Sequence, residues 1–442
     1  MAMKAYESYK NVDLPWLKRV PEHWEVKRIR QVLRERKERN FPIKTKNILS
    51  LTNTRGVIPY EDKGNVGNKS KSDLGDYFLA YPGDIVLNSM NVVIGSVGLS
   101  AYFGAISPVY YALYNTDPNS SISYFNTIFS SKIFQKSLKC LGNGILDIRK
   151  RISAYDLKNV MIPVPPKEEQ DQIVRYLDWQ NSRLNKLINA KKKEIALLEE
   201  QKQALISQAV TKGLDPNAPL KDSGIDWIGQ MPEHWLLCNL KYLCSMRSGK
   251  NLTSIQITEN GQYPVYGGNG VRGYYSQYNV NSECLIVGRV GALCGNVHHF
   301  NGKFWVTDNA FIVEVFNYIC VKYFYYLLTA MKLNKYVPKT AAQPVLSTSN
   351  LLFKKACVPP LDEQRKIANY LDNQCTFIDN LINNINRIIS LLQEYRTRLV
   401  ADVVTGQIDV RNIAIPNYET VPETIDQPET AEDESAICTE DQ

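Results

Sequence analysis

At 442 residues, 44% hydrophobic and 22% charged, the chain has material for two or three cored domains. No stretch approaches the ~18 consecutive apolar residues of a membrane span, and the N-terminus lacks an apolar signal-peptide core, so a cytoplasmic protein without a membrane partner is expected. The net charge of +7 conceals an acidic end: residues 416–442 hold nine acids and no Lys or Arg, which leaves +16 on residues 1–415. A body this basic suits a polyanion, because each neutralised phosphate releases condensed counterions.

In chain order, the first landmark is Val20-Pro21-Glu22-His23-Trp24, which returns as Met231-Pro232-Glu233-His234-Trp235 at a shift of 211. His23 and His234 read as residues that fix a turn and pack a Trp rather than as catalysts. Asp84–Leu87 and Tyr110–Tyr114 read as strands, and Ser121–Leu138 as a helix. Pro165-Pro166-Lys167-Glu168-Glu169-Gln170, with Tyr176-Leu177-Asp178 beyond it, returns as Pro359-Pro360-Leu361-Asp362-Glu363-Gln364 with Tyr370-Leu371-Asp372 at a shift of 194. The two middles therefore differ by 17 residues. A period near 200 means duplicated domains, since solenoid repeats are far shorter.

Each Pro-Pro pair opens a helix with acids in its first turn, which suits the positive end of the helix dipole. Neither helix meets a Pro or Gly before Lys212 and Thr405. Alternating steps of 3 and 4 give Leu177, Leu184, Ile188, Ile195, Leu198 and Leu205 in the first, interrupted by Asn181, Lys191 and Lys202. The second gives Leu371, Ile378, Ile382, Ile385, Ile389, Leu392 and Leu399. A stripe held for four to five heptads predicts a coiled coil. A linker of about fifteen residues after Lys212 leads to a second globule near Trp227, with strands at Cys284–Val287 and Phe311–Val315 and a helix at Asn317–Met331. The second helix then starts near the end of the first, so the pair is expected antiparallel, a rod of about 66 Å. The predicted fold class is α/β (α+β): two mixed globules separated by a long two-helix coiled coil, with pseudo-two-fold symmetry. Boundaries fall at 1–163, 164–213, 214–357, 358–410 and 411–442, the last an acidic tail expected to be disordered.

Catalytic signatures are missing: there is no phosphate-binding G-x-x-x-x-G-K-[ST], no H-E-x-x-H, no G-x-S-x-G and no strand-linked G-x-G-x-x-G. Nine Cys occur without a C-x-x-C pair, which argues against a disulfide framework. Cys238/Cys244 and Cys284/Cys294, near His298-His299, match no zinc spacing. No metal is expected, and buried thiols are the better account. The functional candidates are polar loops rich in Gly, because Arg, Asn and Ser make the paired contacts that distinguish bases in the major groove, while Gly lets backbone approach phosphate. In the first globule these are Asn88, Ser89, Asn91, Asn143, Arg149, Lys150 and Arg151. In the second they are Asn269, Arg272, Tyr274, Arg289 and Lys339.

Two variable globules, each followed by P-x-x-x-E-Q and a long helix, resemble the specificity subunit of Type I restriction-modification enzymes over residues 10–410. The resemblance rests on Pro165–Gln170, Pro359–Gln364, the two Pro-Glu-His-Trp motifs, Tyr266-Gly267-Gly268-Asn269-Gly270 and Thr307-Asp308-Asn309-Ala310. It implies that each globule is a target recognition domain reading one half of a bipartite, asymmetric site in double-stranded DNA. It further implies that the helices set the spacer and dock two methyltransferase subunits, with restriction/translocase subunits completing the enzyme. S-adenosylmethionine, ATP and Mg are then expected on those partners and no cofactor on this chain, which by itself is no enzyme. The rival reading is a non-catalytic coiled-coil adaptor with two protein- or glycan-binding heads, which gives no reason for +16 outside the tail.

Overall fold

A computed structural model describes residues 4–423 apart from 54, 64–73, 142–150, 269, 292–293 and 338–344. The first half of the chain forms strands β1 (Tyr9–Leu14), β2 (Leu17–Pro21), β3 (Glu25–Arg28), β4 (Leu33–Arg36), β5 (Leu49–Thr52), β6 (Gly56–Pro59), β7 (Phe78–Ala80), β8 (Ile85–Asn88), β9 (Val97–Leu99), β10 (Gly104–Ile106), β11 (Tyr110–Asn115) and β12 (Met161–Val164). Its helices are α1 (Ile29–Val32), α2 (Ile122–Ser130), α3 (Lys132–Ser137), α4 (Ala154–Asn159) and the long α5 (Lys167–Lys212). The second half adds β13 (Leu220–Asp222), β14 (Gln230–Pro232), β15 (Leu236–Asn239), β16 (Cys244–Ser248), β17 (Tyr263–Gly267), β18 (Gly270–Tyr275), β19 (Val280–Asn281), β20 (Cys284–Gly288), β21 (Val297–Phe300), β22 (Lys303–Val306), β23 (Ala310–Val315) and β24 (Lys355–Val358). Helices α6 (Val321–Ala330), α7 (Thr348–Leu352) and α8 (Leu361–Val404) complete it. Among the described residues no helix is long and apolar enough to cross a membrane.

Two compact units divide the chain: residues 1–192 with 387–442, and residues 193–386. Each unit therefore owns part of α5 and part of α8. Both long helices start directly after their Pro-Pro pair, with Glu168 and Glu169 or Asp362 and Glu363 in the first turn. Both stop at a glycine in the left-handed region, Gly213 (φ 75°) and Gly406 (φ 71°), the usual helix terminator because it lacks a Cβ.

The first unit is built on the antiparallel sheet β4-β11-β8-β9, and the second on β16-β23-β20-β21 in the same order. Val86 faces Ala112 in one and Ile286 faces Ile312 in the other, so the central strands correspond at a shift of 200. The central strands are apolar on both faces because successive side chains point to opposite sides. Ile85 and Leu87 join the large core with Trp24, Phe125 and Phe129, whereas Val86 joins Leu49, Leu51 and Ile106 beneath the second layer. Leu285 and Val287 pack with Trp235 and Phe324, and Ile286 with Tyr266 and Phe304. The second layer is β18-β17-β22-β19 in the second unit, and the pairs β5-β6 and β7-β10 in the first.

The two helices pair inside each unit. In the first, Ile173, Tyr176 and Leu177 of α5 share a core with Leu399, Val403 and Val404 of α8, and Arg396 Nη2 donates to Asn185 Oδ1 at 2.7 Å. In the second, Ile206, Ala209 and Val210 meet Ile367, Ala368 and Leu371, and Lys202 Nζ donates to Asp379 Oδ1 at 2.7 Å. The start of one helix thus lies against the end of the other, the antiparallel sense. Of the stripe residues, Leu177, Leu184, Ile188, Leu371, Ile378, Ile385 and Leu399 are buried, and Ile195, Leu198, Leu205, Ile382, Ile389 and Leu392 are half-buried.

Four expectations need correction. The helix expected over Ser121–Leu138 is two helices, because Ser131 is extended (ψ 131°) and donates its N–H back to Ile128 O. The helix expected from Asn317 starts at Val321. The segment after Lys212 is not a bare linker: β13 pairs with β14, and Ile228 is buried in the second core. This arrangement repeats the N-terminal pairing of β1 with β2. Finally, residues 411–423 of the tail are packed. Ile413 and Ile415 lie against the first core, Gln172 Nε2 donates to Ile413 O at 2.8 Å, Asn185 Nδ2 donates to Val421 O at 2.8 Å, and Arg396 pairs with Glu423 at 2.5 Å. Residues 424–442 lie outside the described residues.

Candidate nucleic-acid interface

The repeated motifs form the anchor of each globule on its helices. Glu169, only 5% exposed, accepts from Trp24 Nε1 at 3.0 Å and from the Tyr6 hydroxyl at 2.5 Å, and His23 Nε2 lies 2.7 Å from its other oxygen. In the second unit Glu363 accepts from Trp235 Nε1 at 3.1 Å, with His234 Nε2 at 3.0 Å. The adjacent glutamines also match: Gln170 Oε1 accepts from Ser121 N–H and Gln364 Oε1 from Cys320 N–H, both at 2.8 Å. Each Trp also packs on the glycine that ends the other helix, for a Cβ on Gly406 would sit 3.2 Å from Trp24 and one on Gly213 3.2 Å from Trp235. These residues hold each globule on its helices.

In the second globule the strand-end loops converge. A Cβ on Gly268 would sit 3.2 Å from both Asn309 O and Gly288 Cα, and one on Gly249 only 2.3 Å from Thr307 O. Three backbones therefore touch where β17, β20 and the turn before β23 meet. Arg272 crosses Gly267 from β18, its Cδ at 2.8 Å from where that residue's Cβ would be, and Arg289 follows Gly288 directly. Asn309 O accepts from Arg289 N–H at 3.0 Å. Arg272, Arg289 and the Thr307–Ala310 turn are thus gathered at one edge. Tyr274 sits further along β18, its backbone bonded both ways to Thr258. Asn269 and Lys339 lie outside the described residues.

In the first globule Asn88 and Asn91 form a turn after β8, where Asn91 N–H donates to Asn88 O at 3.1 Å and Met90 N–H to Asn88 Oδ1 at 3.0 Å. Arg151 is exposed just before α4. Asn143, Arg149 and Lys150 lie outside the described residues. Ser89 corrects the expectation of a DNA contact: it is fully buried, with an unpartnered hydroxyl, where its main chain is bonded to Val109 O and to Ile152 N–H.

Further exposed polar residues line these edges and were passed over in the sequence. Ser248 and Lys250 flank the close-packed Gly249, and Asn53 and Arg55 precede Gly56, with Asn53 Oδ1 accepting from Ser96 Oγ at 2.5 Å. Polar residues beside a glycine were a signal available at both places. Arg36, by contrast, is spent on structure: it pairs with Asp84 at 2.7 Å and lies 4.5 Å from the rings of Tyr81 and Tyr114.

Burial pushes the Cys244 and Cys357 thiols up to about 12 and Cys284 up to about 11, which keeps them protonated. Cys140 departs from the buried-thiol expectation, being exposed, and Cys238 and Cys320 are half-buried. Burial lowers the pKa of His298 and favours its neutral form, while His299 Nε2 lies 2.8 Å from Glu283. Among the described residues no cluster of three His, Cys, Asp or Glu is placed to hold a metal.

Residues 21–197 and 232–391 match the Type I restriction modification DNA specificity domain. With both copies matched over most of its length, the chain belongs to this family, the specificity subunits of Type I restriction-modification systems. It is 36% identical over 162 residues to the Type I restriction enzyme EcoprrI specificity subunit of Escherichia coli, a match spanning 36% of this chain and only 40% of that one. It is 24% identical over 432 residues to the MjaVIII specificity subunit of Methanocaldococcus jannaschii, across 89% of this chain and 95% of that one. A solved chain from work on complex assembly and conformational transition of the type I system shares the fold, with a TM-score of 0.65 at 14% identity over 88% of this chain and 99% of that one.

Proposed function

We propose that each globule reads one half of a bipartite, asymmetric sequence in double-stranded DNA, and that the paired helices hold the halves at a fixed spacing. The observation that carries this reading is one frame used twice with different edges: the same sheet order, the same Glu–Trp–His anchor and the same Gln bond recur, while the loop residues differ. A ligand with two unlike parts at a set separation fits such a molecule.

The helices also dock two methyltransferase subunits, and restriction/translocase subunits join that assembly. Leu197 and Leu391, equivalent positions of α5 and α8, are 56% and 54% exposed, and two equivalent apolar positions suit two copies of one partner. Adenine methylation with S-adenosylmethionine, and ATP- and Mg-dependent translocation and cleavage, belong to those partners, and this chain supplies recognition. The test uses the purified chain alone and then with its methyltransferase. The chain alone binds duplex DNA with an affinity falling steeply with salt and turns over no S-adenosylmethionine. Turnover by the contaminant-free chain, or binding indifferent to salt, contradicts the reading.

A further inference from the structure

We propose that Arg289 reads a guanine in the half-site of the second globule, and that the equivalent residue of the first globule, Ser89, is withdrawn from readout. The proposal rests on the reading that each globule recognises half of the DNA site. One structural position thereby makes the two half-sites differ.

The equivalence comes from the backbone. Ser89 follows β8 as Arg289 follows β20. Ser89 N–H donates to Val109 O at 3.2 Å, and Arg289 N–H to Asn309 O at 3.0 Å. Ser89 O accepts from Ile152 N–H at 3.0 Å, and Arg289 O from Leu346 N–H at 2.9 Å. Ile152 and Leu346 in turn precede the serine caps of α4 and α7, Ser153 and Ser347. Both main chains are locked in the same place, so only the side chains differ.

They differ completely. Ser89 is sealed in, and Tyr111 beside it donates its hydroxyl to Ile152 O at 3.0 Å. In the second globule the residue matching Tyr111 is Phe311, which has no hydroxyl to offer. The Arg289 guanidinium instead lies 5.5 Å over the Phe311 ring and reaches Ser248 Oγ at 3.4 Å. Its Nε has no partner although it is buried. Arg36 and Arg247 are each tied to a carboxylate, whereas no carboxylate pairs with Arg289 among the described residues. A half-buried guanidinium with no carboxylate partner, at a glycine-lined edge, has terminal N–H groups to offer two acceptors beyond the buried Nε. Guanine O6 and N7 form that pair in the major groove, and arginine is the side chain that meets both.

The experiment expresses the subunit with its methyltransferase partners and sequences the methylated sites. Arg289→Ala relaxes one position of one half-site, from guanine to any base, with discrimination falling roughly tenfold to a hundredfold. Arg289→Gln moves that position toward adenine, which glutamine meets at N6 and N7. Arg289→Met keeps the packing stem over Phe311 but offers no donor and so loses the discrimination, which decides the matter should the alanine variant fail to fold. Ser89→Ala leaves the motif unchanged. An equal loss at all sites with the motif intact marks a phosphate contact and overturns the proposal. So does relaxation at a position that is not guanine, or no change in any Arg289 variant. If the wild-type complex yields no bipartite motif, the half-site reading fails first and this proposal falls with it.

Discussion

Replacing Glu169 by Ala tests the anchor that holds the first globule. The change removes the acceptor of two buried donors, Trp24 Nε1 and the Tyr6 hydroxyl, whose residues are 0% and 5% exposed. Each orphaned buried donor costs ~1–3 kcal/mol, which gives about 4 kcal/mol in all. The His23 side chain is 38% exposed and can turn to water, so it adds less than ~1 kcal/mol. The matching change, Glu363→Ala, orphans only Trp235, and the Glu363 side chain is already 28% exposed. Water can take its place there, and the expected cost is about 1–2 kcal/mol. Segment-resolved hydrogen exchange in denaturant measures both. Glu169→Ala should lower protection of β8, β11 and α2 by about 4 kcal/mol and leave β20 and β23 within ~0.5 kcal/mol of wild type. Equal costs for the two variants, or a larger one for Glu363→Ala, would refute the assignment of Glu169 as the tighter anchor.

Truncation after Glu423 should leave stability within ~0.5 kcal/mol, whereas truncation after Val410 should cost about 1–3 kcal/mol by exposing the core under Ile413 and Ile415; chemical denaturation distinguishes the two. In maleimide labelling of the native protein at pH 8, Cys140 should react quickly. Cys357, with its thiol pushed up to about 12, should hold roughly one thiolate in 10,000 and stay unlabelled, and fast labelling there would contradict the packing of β24. Adding one heptad after both Leu198 and Leu392 keeps the helix register and lengthens the pair by about 10.5 Å, roughly three base pairs. The half-site sequences should then persist with a longer spacer, and retention of the original spacer by an assembled complex would reduce the helices to a tether.

Much of the frame was legible because its signals are local. Pro-Pro followed by acids marks a helix start, a 3–4 apolar stripe free of Pro and Gly marks its course, and a short run such as Leu285-Ile286-Val287 marks a strand buried on both sides. What escaped depends on tertiary partners. Ser131 breaks a segment whose composition is helical throughout. Proline and charge made residues 411–423 look unstructured, yet Ile413 and Ile415 find a core and Asn185 finds a carbonyl. Pro-Glu-His-Trp and P-x-x-x-E-Q were visible as repeats, but that they bond to each other across 145 positions is invisible without the fold. At the candidate interface, chain position could not tell Ser89 from Arg289, because the fully buried place of one and the half-buried place of the other are set by the tertiary packing around them.

Exchange of one head tests the central claim most directly. Residues 20–160 are replaced by the equivalent globule of a relative with a different target, the hybrid is expressed with the methyltransferase, and the methylated sites are sequenced. One half of the motif should change to that of the donor, while the other half stays as it was. A motif in which both halves change, or neither does, would contradict the assignment of one half-site to each globule.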